Sequence, residues 1–290
     1  EKRIHFGSGV GVNVYSHEWD DIVKYLNQAG SSYIAGDYKN FDGSHSTQFA
    51  NVIVDYINKW YDDGEVNATV RKVLFLDLIN SKHINGKIIY QWHGGLASGH
   101  PLTTIYNTIT NLVLFRLAWV KTYGTIRALS AFNEHVRVMA YGDDNLACIS
   151  DQVKERFNQV SMTQHLSQYG YTYTNDDKTD NIVPYRKLEE VSFLKRSFVF
   201  DKEFNRYICP LTLETILESP FWTKRGGNAT AKTLENFDDQ IEELSLHDED
   251  TFEYWSKIMI KKYKLVFSKN KLIPSQYILK DTVLNRKAYF

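Results

Sequence analysis

The chain has 290 residues, 43% apolar, 24% charged and 14% aromatic, the make-up of a globular protein long enough to bury a sizeable core. These figures exclude disordered, collagen-like and disulfide-scaffold classes. With 34 Lys and Arg against 35 Asp and Glu, the formal net charge is −1, so any surface that binds nucleic acid must be local.

The two cysteines, Cys148 and Cys209, lie far apart and outside any CxxC pair, which supports neither a zinc site nor a disulfide framework and fits a reducing, intracellular setting. The most apolar stretch, Leu112–Val120, is interrupted by Arg116 and falls short of the roughly 18 to 20 residues that a membrane span needs, so no transmembrane segment is expected. The chain opens at Glu1 rather than Met, which we read as a piece cut from something longer.

In chain order, Ser31 to Tyr38 reads as a short buried strand, followed by helices over about 44–60 and 67–79. Asn85-Gly86 predicts a two-residue hairpin. A glycine-rich loop, Gly94 to Pro101, expected to be flexible, leads into a long helix over about 102–122. Along that helix Thr103, Asn107, Thr110 and Asn111 form a polar stripe on an otherwise apolar surface. Such a stripe either bonds helix to helix or lies beside a polar ligand such as a ribose. From Val136 to Ile149, apolar residues flank Tyr141-Gly142-Asp143-Asp144, which predicts a hairpin with carboxylates at its tip. A helix over about 153–169 and short strands between 191 and 208 are expected to complete the sheet, and helices follow over about 211–219, 229–246 and 250–267. Helices grouped rather than alternating with strands indicate an α+β fold. The charged residues from Glu235 to Glu253 are all acidic, whereas those from Lys257 to Lys287 are basic apart from Asp281, which gives either two solvated helix faces or a basic surface for a phosphate backbone.

Asp37 closes one strand and Asp143 sits at a hairpin tip, so if the strands are neighbours both carboxylates meet at one sheet edge. Magnesium takes oxygen ligands, commonly one or two carboxylates with substrate phosphates. Two such ions about 4 Å apart suit an in-line phosphoryl displacement. Taken alone, Asp143-Asp144 reads as well as ordinary turn chemistry.

Asp37-Tyr38-Lys39-Asn40-Phe41-Asp42, then Ser98-Gly99-His100-Pro101-Leu102-Thr103 with Asn107, then Tyr141-Gly142-Asp143-Asp144, then Phe193-Leu194-Lys195-Arg196 match, in order, motifs A, B, C and E of viral RNA-dependent RNA polymerases. The chain resembles the polymerases of picorna-like positive-strand RNA viruses, including insect-infecting groups. By motif the resemblance covers 31–197, and it extends more loosely through Phe221-Trp222-Thr223-Lys224. It implies an α+β right hand: a fingers/palm junction over 1–30, a palm over 31–204 with an antiparallel sheet packed on helices and a small fingers insertion at about 62–93, and a helical thumb over 205–290. The family's fingers, with the basic motif F that binds the incoming triphosphate, lie mostly ahead of motif A. No such segment is found here, so most of the fingers is expected to be missing.

The same resemblance makes Asp37 a metal ligand, with Tyr38 lending its backbone carbonyl, and makes Asp143 the bridge between two Mg2+ (or Mn2+) ions with Asp144 as a weaker, alternate ligand. Asp42 and Asn107, helped by Ser98, Gly99 and Thr103, resemble the group that hydrogen-bonds the ribose hydroxyls, which favours NTP over dNTP. In a looser motif D, Lys178 resembles the general acid for the pyrophosphate leaving group, kept charged by Asp176, Asp177 and Asp180; an ordinary surface lysine is the alternative. Lys195 and Arg196 resemble the primer-grip turn, holding phosphates by charge. His100 and Cys148 are read as packing residues, and no aromatic is assigned to RNA.

The implied activity is template-directed RNA synthesis, nucleotidyl transfer from NTPs to an RNA 3′ end. The implied partners are RNA template and primer, a protein primer and other viral replication proteins. The implied setting is a polyprotein product at replication complexes in the host cytoplasm. Two alternatives stand beside it: a catalytically silent palm and thumb that binds RNA or protein, and a reverse transcriptase, which would favour an aromatic residue in place of Asp42.

Overall fold

The computed structural model describes residues 2–176, 181–222, 228–267 and 271–286. The chain divides into two compact units, Glu1–Val10 with Tyr25–Lys187, and Gly11–Lys24 with Leu188–Phe290. The contact boundary between them falls after Lys187. Helix α1 (Glu18–Leu26), which the sequence reading did not anticipate, carries the chain from the second unit into the first.

The first unit continues with β1 (Ser32–Lys39), α2 (Thr47–Tyr61), α3 (Glu65–Ile79), β2 (Lys82–Asn85), β3 (Ile88–Gln91) and α4 (Thr103–Tyr123). It closes with α5 (Leu129–His135), β4 (Val136–Tyr141), β5 (Asp144–Ile149), α6 (Gln159–Ser167) and β6 (Thr172–Asn175). Local chemistry sets several of these ends. Ser46 caps α2 by accepting the Phe49 N–H, and Gly124, at φ 71°, ends α4 in the left-handed conformation that glycine adopts at little cost. The β2–β3 loop is Gly86-Lys87, one residue on from the expected Asn85-Gly86, with the positive φ falling on its first residue.

β4, β5, β1 and β6 form one sheet in that order, every neighbouring pair antiparallel. Two expectations are corrected here. The helix expected over 153–169 begins only at Gln159, because Asn158 is extended (φ −156°, ψ −177°) and forms a reciprocal capping box with Ser161. The strands between 191 and 208 do not complete this sheet. They pair with each other, and the fourth strand is β6, whose Thr-Tyr-Thr-Asn sequence carries too little apolar alternation to be recognised.

One face of the sheet packs against α4, α5 and α6 through Ile34, Tyr38, Phe115, Trp119, Phe132, Ala147, Met162 and Tyr173. β1 is buried on both faces from Tyr33 to Gly36, and its burial first relaxes at Asp37. The strand therefore delivers a carboxylate just where the sheet meets solvent. A second cluster joins α2, α3 and α4 through Ile53, Val54, Phe75, Leu78 and Tyr106, with Leu96 from the loop between β3 and α4.

The second unit holds β7 (Val199–Asp201), β8 (Arg206–Ile208), α7 (Leu213–Glu218), α8 (Ala229–Leu244), α9 (Glu249–Phe267) and α10 (Gln276–Asp281). Phe237, Ile241, Leu244, Phe252, Met259 and Leu279 make its helical core, and Trp19 stacks on Phe198 with centroids 4.6 Å apart. Phe193 and Arg196 exchange two backbone hydrogen bonds of 3.0 Å around Leu194-Lys195, both at positive φ (56° and 58°). Two consecutive non-glycine residues in the left-handed region are costly, so the turn needs an anchor. Arg196 supplies it. Its buried guanidinium takes both oxygens of Glu243 (2.7 and 2.9 Å), the Cys209 carbonyl (2.8 Å) and the Tyr15 hydroxyl (3.2 Å). Burial lowers the guanidinium pKa, but the Glu243 hydrogen bond together with the charges of Cys209, Glu243 and Tyr15 raises the value overall.

Two stability outcomes follow from this packing. A Cβ at Gly36 would run into the fully buried Tyr173 ring, so Gly36→Ala is expected to cost about 1 to 3 kcal/mol in denaturant unfolding. Glu243→Ala strands the Arg196 charge and is expected to cost about 3 kcal/mol. Adding Arg196→Met should recover part of that loss, whereas additive losses in the double-mutant cycle would deny the coupling.

Candidate active site

The register of the sheet decides where the acidic residues lie. β1 pairs with β5 from Ser32↔Ile149 to Gly36↔Asn145, and β5 is joined to β4 by the Gly142-Asp143 turn. The residue after Gly36 therefore lies beside that turn, and Asp37 and Asp143 share one sheet edge, as the sequence predicts. The electrostatics agree. Desolvation raises the Asp143 carboxyl above the usual range, and the charges of Asp37 and Asp42 raise it further against hydrogen bonds from the backbone N–H groups of Asp143 and Asp144. Asp37 and Asp42 thus both lie within electrostatic reach of Asp143, although Asp143 as a residue is exposed at the turn tip.

Neutral side chains hold the turn in place. Buried Asn111 of α4 donates its amide to the carbonyls of Gly142, Asp143 and Asp144 at 3.2, 3.0 and 3.4 Å, and its own oxygen accepts the Tyr38 hydroxyl at 3.2 Å. Thr108 accepts the Gly142 N–H at 2.9 Å. Asn145 donates to the carbonyls of Gly36 (3.1 Å) and Asp143 (3.2 Å) and accepts the Tyr173 hydroxyl at 2.6 Å. The sequence reading placed Asn111 in a polar stripe without assigning its partner; the structure gives it the turn. Thr108 and Asn145 were missed, although a polar residue one turn before Asn111 and another directly after Asp143-Asp144 were signals in plain view.

A second polar group forms beside this edge. Both oxygens of Asp42 are engaged, one by Asn107 Nδ2 at 2.6 Å and the other by the Ser98 hydroxyl. The loop that carries Ser98 is not free. Gly94, Gly95 and Leu96 donate their N–H groups to the carbonyls of Ile79, His45 and Asp42 at 2.9, 2.9 and 2.8 Å. Gly95 is needed there, since its φ is 79° and a Cβ would stand 2.9 Å from the Asp42 carbonyl. The expected flexibility of this segment is thus corrected at its first half. Thr103 is buried and spends its hydroxyl on the Ala97 carbonyl at 2.8 Å, so it fastens the loop. Gly99, at φ 88°, lies exposed at the loop's tip.

His45 extends this group and was missed by sequence reading. It is buried, with Nε2 2.9 Å from Asn107 Oδ1 and Nδ1 3.3 Å from the Tyr171 hydroxyl. Burial lowers its pKa, against the Asn107 hydrogen bond and the Asp42 charge.

The remaining expectations fall out as follows. Cys148 is fully buried and burial pushes its thiol up to about 12, as suits a packing residue. His100 is exposed rather than packed, its Nδ1 accepting the Leu102 N–H at 3.2 Å. Lys178, with Asp177 and Asp180, lies outside the described residues, as do Thr223 and Lys224. Asp176 is bound by Arg186. In the second unit Lys195 is exposed at its turn, while Arg196, expected to hold phosphates, is buried and bound to Glu243. Several lysines of the basic segment are paired: Lys257 with Glu253, Lys271 with Asp238 and Lys280 with Asp201.

Among the described residues, no three His, Cys, Asp or Glu side chains close into a ready-made metal cage. The Asp37 and Asp143 carboxylates nevertheless fit magnesium or manganese, which accept one or two carboxylates and complete their shell with water and phosphate oxygens. No helix among the described residues is long and apolar enough to cross a membrane.

The chain is 36% identical over 274 residues to the replicase polyprotein of Acute bee paralysis virus (strain Rothamsted), an alignment covering 91% of this chain and 14% of the polyprotein. It is 34% identical over 264 residues to the replicase polyprotein of Drosophila C virus (strain EB), covering 87% and 15%. It is also 32% identical over 260 residues to the genome polyprotein of Rice tungro spherical virus (strain Vt6), covering 87% and 8%. The chain therefore spans a small fraction of these relatives' length. In three dimensions it is similar to a Sicinivirus 3Dpol RNA dependent RNA polymerase, with a TM-score of 0.77 at 20% identity over 98% of this chain and 57% of the other, which establishes the fold. Residues 1–261 match the family described as viral RNA-dependent RNA polymerase, and the chain belongs to that family.

Proposed function

We propose that this chain carries the nucleotidyl-transfer centre of a template-directed RNA polymerase, adding NTPs to a growing RNA 3′ end. The observation that carries the proposal is the gathering of Asp37 and Asp42 around Asp143, with Asp42 tied at once to Asn107 and Ser98. In this reading the first unit is the palm with a small part of the fingers, and the helical second unit is the thumb.

Asp37 and Asp143 would hold two divalent ions, with Asp144 as an alternate ligand and the Tyr38 carbonyl available beside them. Bound there, Mg2+ or Mn2+ would supply activation of the attacking 3′-hydroxyl and neutralisation of the leaving oxygen. The protein's own share is placement. Asn111, Asn145 and Thr108 fix the turn that presents Asp143, so the carboxylate needs little rearrangement when the triphosphate arrives. Asp42 and Asn107, with Ser98 and Gly99 on the loop above them, read the ribose. Half-buried Asp42 and buried Asn107 lose a partner when the 2′-hydroxyl is absent, which selects NTP over dNTP.

Lys178 as general acid rests on its motif alone. On the primer-grip turn we assign the exposed Lys195 to a primer phosphate and give Arg196 the task of holding the turn's shape. The partners in this reading are RNA template and primer, a protein primer and other replication proteins, in a host-cell replication complex.

Primer extension by the intact polymerase carrying this sequence tests the assignment. Asp143→Ala is expected to lower divalent-dependent incorporation on the order of a thousandfold while RNA binding persists; retained activity would remove Asp143 from the chemistry. Asn107→Ala is expected to lower the ratio of rNTP to dNTP kcat/KM about tenfold or more, and an unchanged ratio would remove the ribose role.

A further inference from the structure

The polar group beside the catalytic edge contains one residue that none of the matched motifs includes. His45 lies three residues beyond Asp42 and is wedged between aromatic rings, edge-on to Phe41 at 4.7 Å and to Tyr106 at 5.1 Å. His45, Asn107 and Tyr171 are 3%, 4% and 6% exposed, so their polar atoms must find partners within the protein.

The hydrogen-bond directions can be worked out from one end. Ionised Asp42 only accepts, so Asn107 must turn its NH2 toward it. The Asn107 oxygen then faces His45 Nε2, which has to carry the proton. In the neutral ring Nδ1 is an acceptor, and the Tyr171 hydroxyl donates to it. The chain Tyr171 O–H to His45 Nδ1, His45 Nε2–H to Asn107 Oδ1, Asn107 N–H to Asp42 Oδ1 is therefore satisfied in one direction only. Reversing the Asn107 amide would set its oxygen against the Asp42 carboxylate, a clash that no change of His45 tautomer removes.

We propose that His45 is a positioning residue for sugar selection: its Nε2–H holds the Asn107 oxygen and so secures the amide in the orientation that Asp42 sets, in which Asn107 and Asp42 act together on the ribose. The inference rests on the ribose role proposed above for those two residues. It assigns His45 no contact with substrate. Its effect passes through Asn107, so it should appear in discrimination between sugars and in the KM for rNTP, whereas a purely structural residue would depress rNTP and dNTP use alike.

The test uses the intact polymerase in single-nucleotide primer extension, with kcat and KM measured separately for an rNTP and the matching dNTP, and thermal melting of every variant. His45→Leu keeps an apolar side chain of similar length without the donor, and is expected to lower the rNTP/dNTP ratio of kcat/KM about tenfold, chiefly through a higher rNTP KM. His45→Gln, whose amide N–H can reach the same oxygen, is expected to stay within about threefold of the parent. A parental ratio for His45→Leu, or equal losses with both nucleotides, overturns the proposal. Should His45→Leu fail to fold, Tyr171→Phe decides. It frees Nδ1 and is expected to lower the ratio about threefold, and no change overturns the proposal. Asn107→Ala in the same series separates the two layers. If it lowers the ratio and His45→Leu does not, only the His45 assignment falls; if it leaves the ratio unchanged, the ribose role falls and this inference with it.

Discussion

Crowding like charges at the edge of a sheet is the constraint on which the first unit is organised. Desolvation, with the charges of Asp37 and Asp42 added to it, disfavours the ionised Asp143 carboxyl, and a loose hairpin would simply swing that acid away into water. The turn between β4 and β5 is held by Asn111, Asn145 and Thr108, all neutral. Had lysines or arginines made these clamps, they would have cancelled the field they frame. Amides and hydroxyls restrain the backbone and leave the negative charge available to cations and to the phosphates that come with them. The frame in turn depends on Gly36, since only a residue without a side chain leaves room for Tyr173 to reach Asn145.

The second polar group obeys the same logic at a shorter range. Asp42 follows β1, Ser98 lies on the glycine loop, Asn107 on α4 and Tyr171 just ahead of β6, so segments scattered over much of the unit contribute to a patch of a few side chains. Fixing so many surfaces with directional bonds makes the patch stiff, which suits the proposed task of telling one sugar hydroxyl from a hydrogen. The loop's backbone bonds to residues 42 and 45 add to that stiffness without using any side chain.

What the sequence made legible follows from how local each signal is. The strand of β1, the long α4 and the acidic hairpin were readable because periodicity and turn chemistry act over a few residues, and the meeting of Asp37 with Asp143 needed only that two strands be neighbours. β6 was not readable, because Thr-Tyr-Thr-Asn gains its strand character from pairing with β1 and not from its own pattern. The amide clamps and His45 escaped for a related reason. A buried Asn or His shows its purpose only through the partner its atoms meet, and those partners lie tens of residues away in the chain. The match to polymerase motifs filled part of that gap, yet it marked Arg196 for phosphate when the fold had already committed that side chain to Glu243.

Arg196 also illustrates why adjacent residues in one motif can divide their labour. Lys195 and Leu194 occupy a turn whose backbone both would rather avoid, and such a turn persists only if its flanks are pinned. An arginine suits the pin because its planar fork can satisfy a carboxylate and a carbonyl at once, as it does with Glu243 and Cys209. A lysine there would offer a point charge with no fixed geometry. Conversely, the exposed position at the tip gains from a long, flexible, hydrated cation that can follow a phosphate as a strand advances. The two basic residues therefore lie in unlike settings despite their shared charge, Arg196 spent inward on shape and Lys195 exposed, where the contact proposed for it is open.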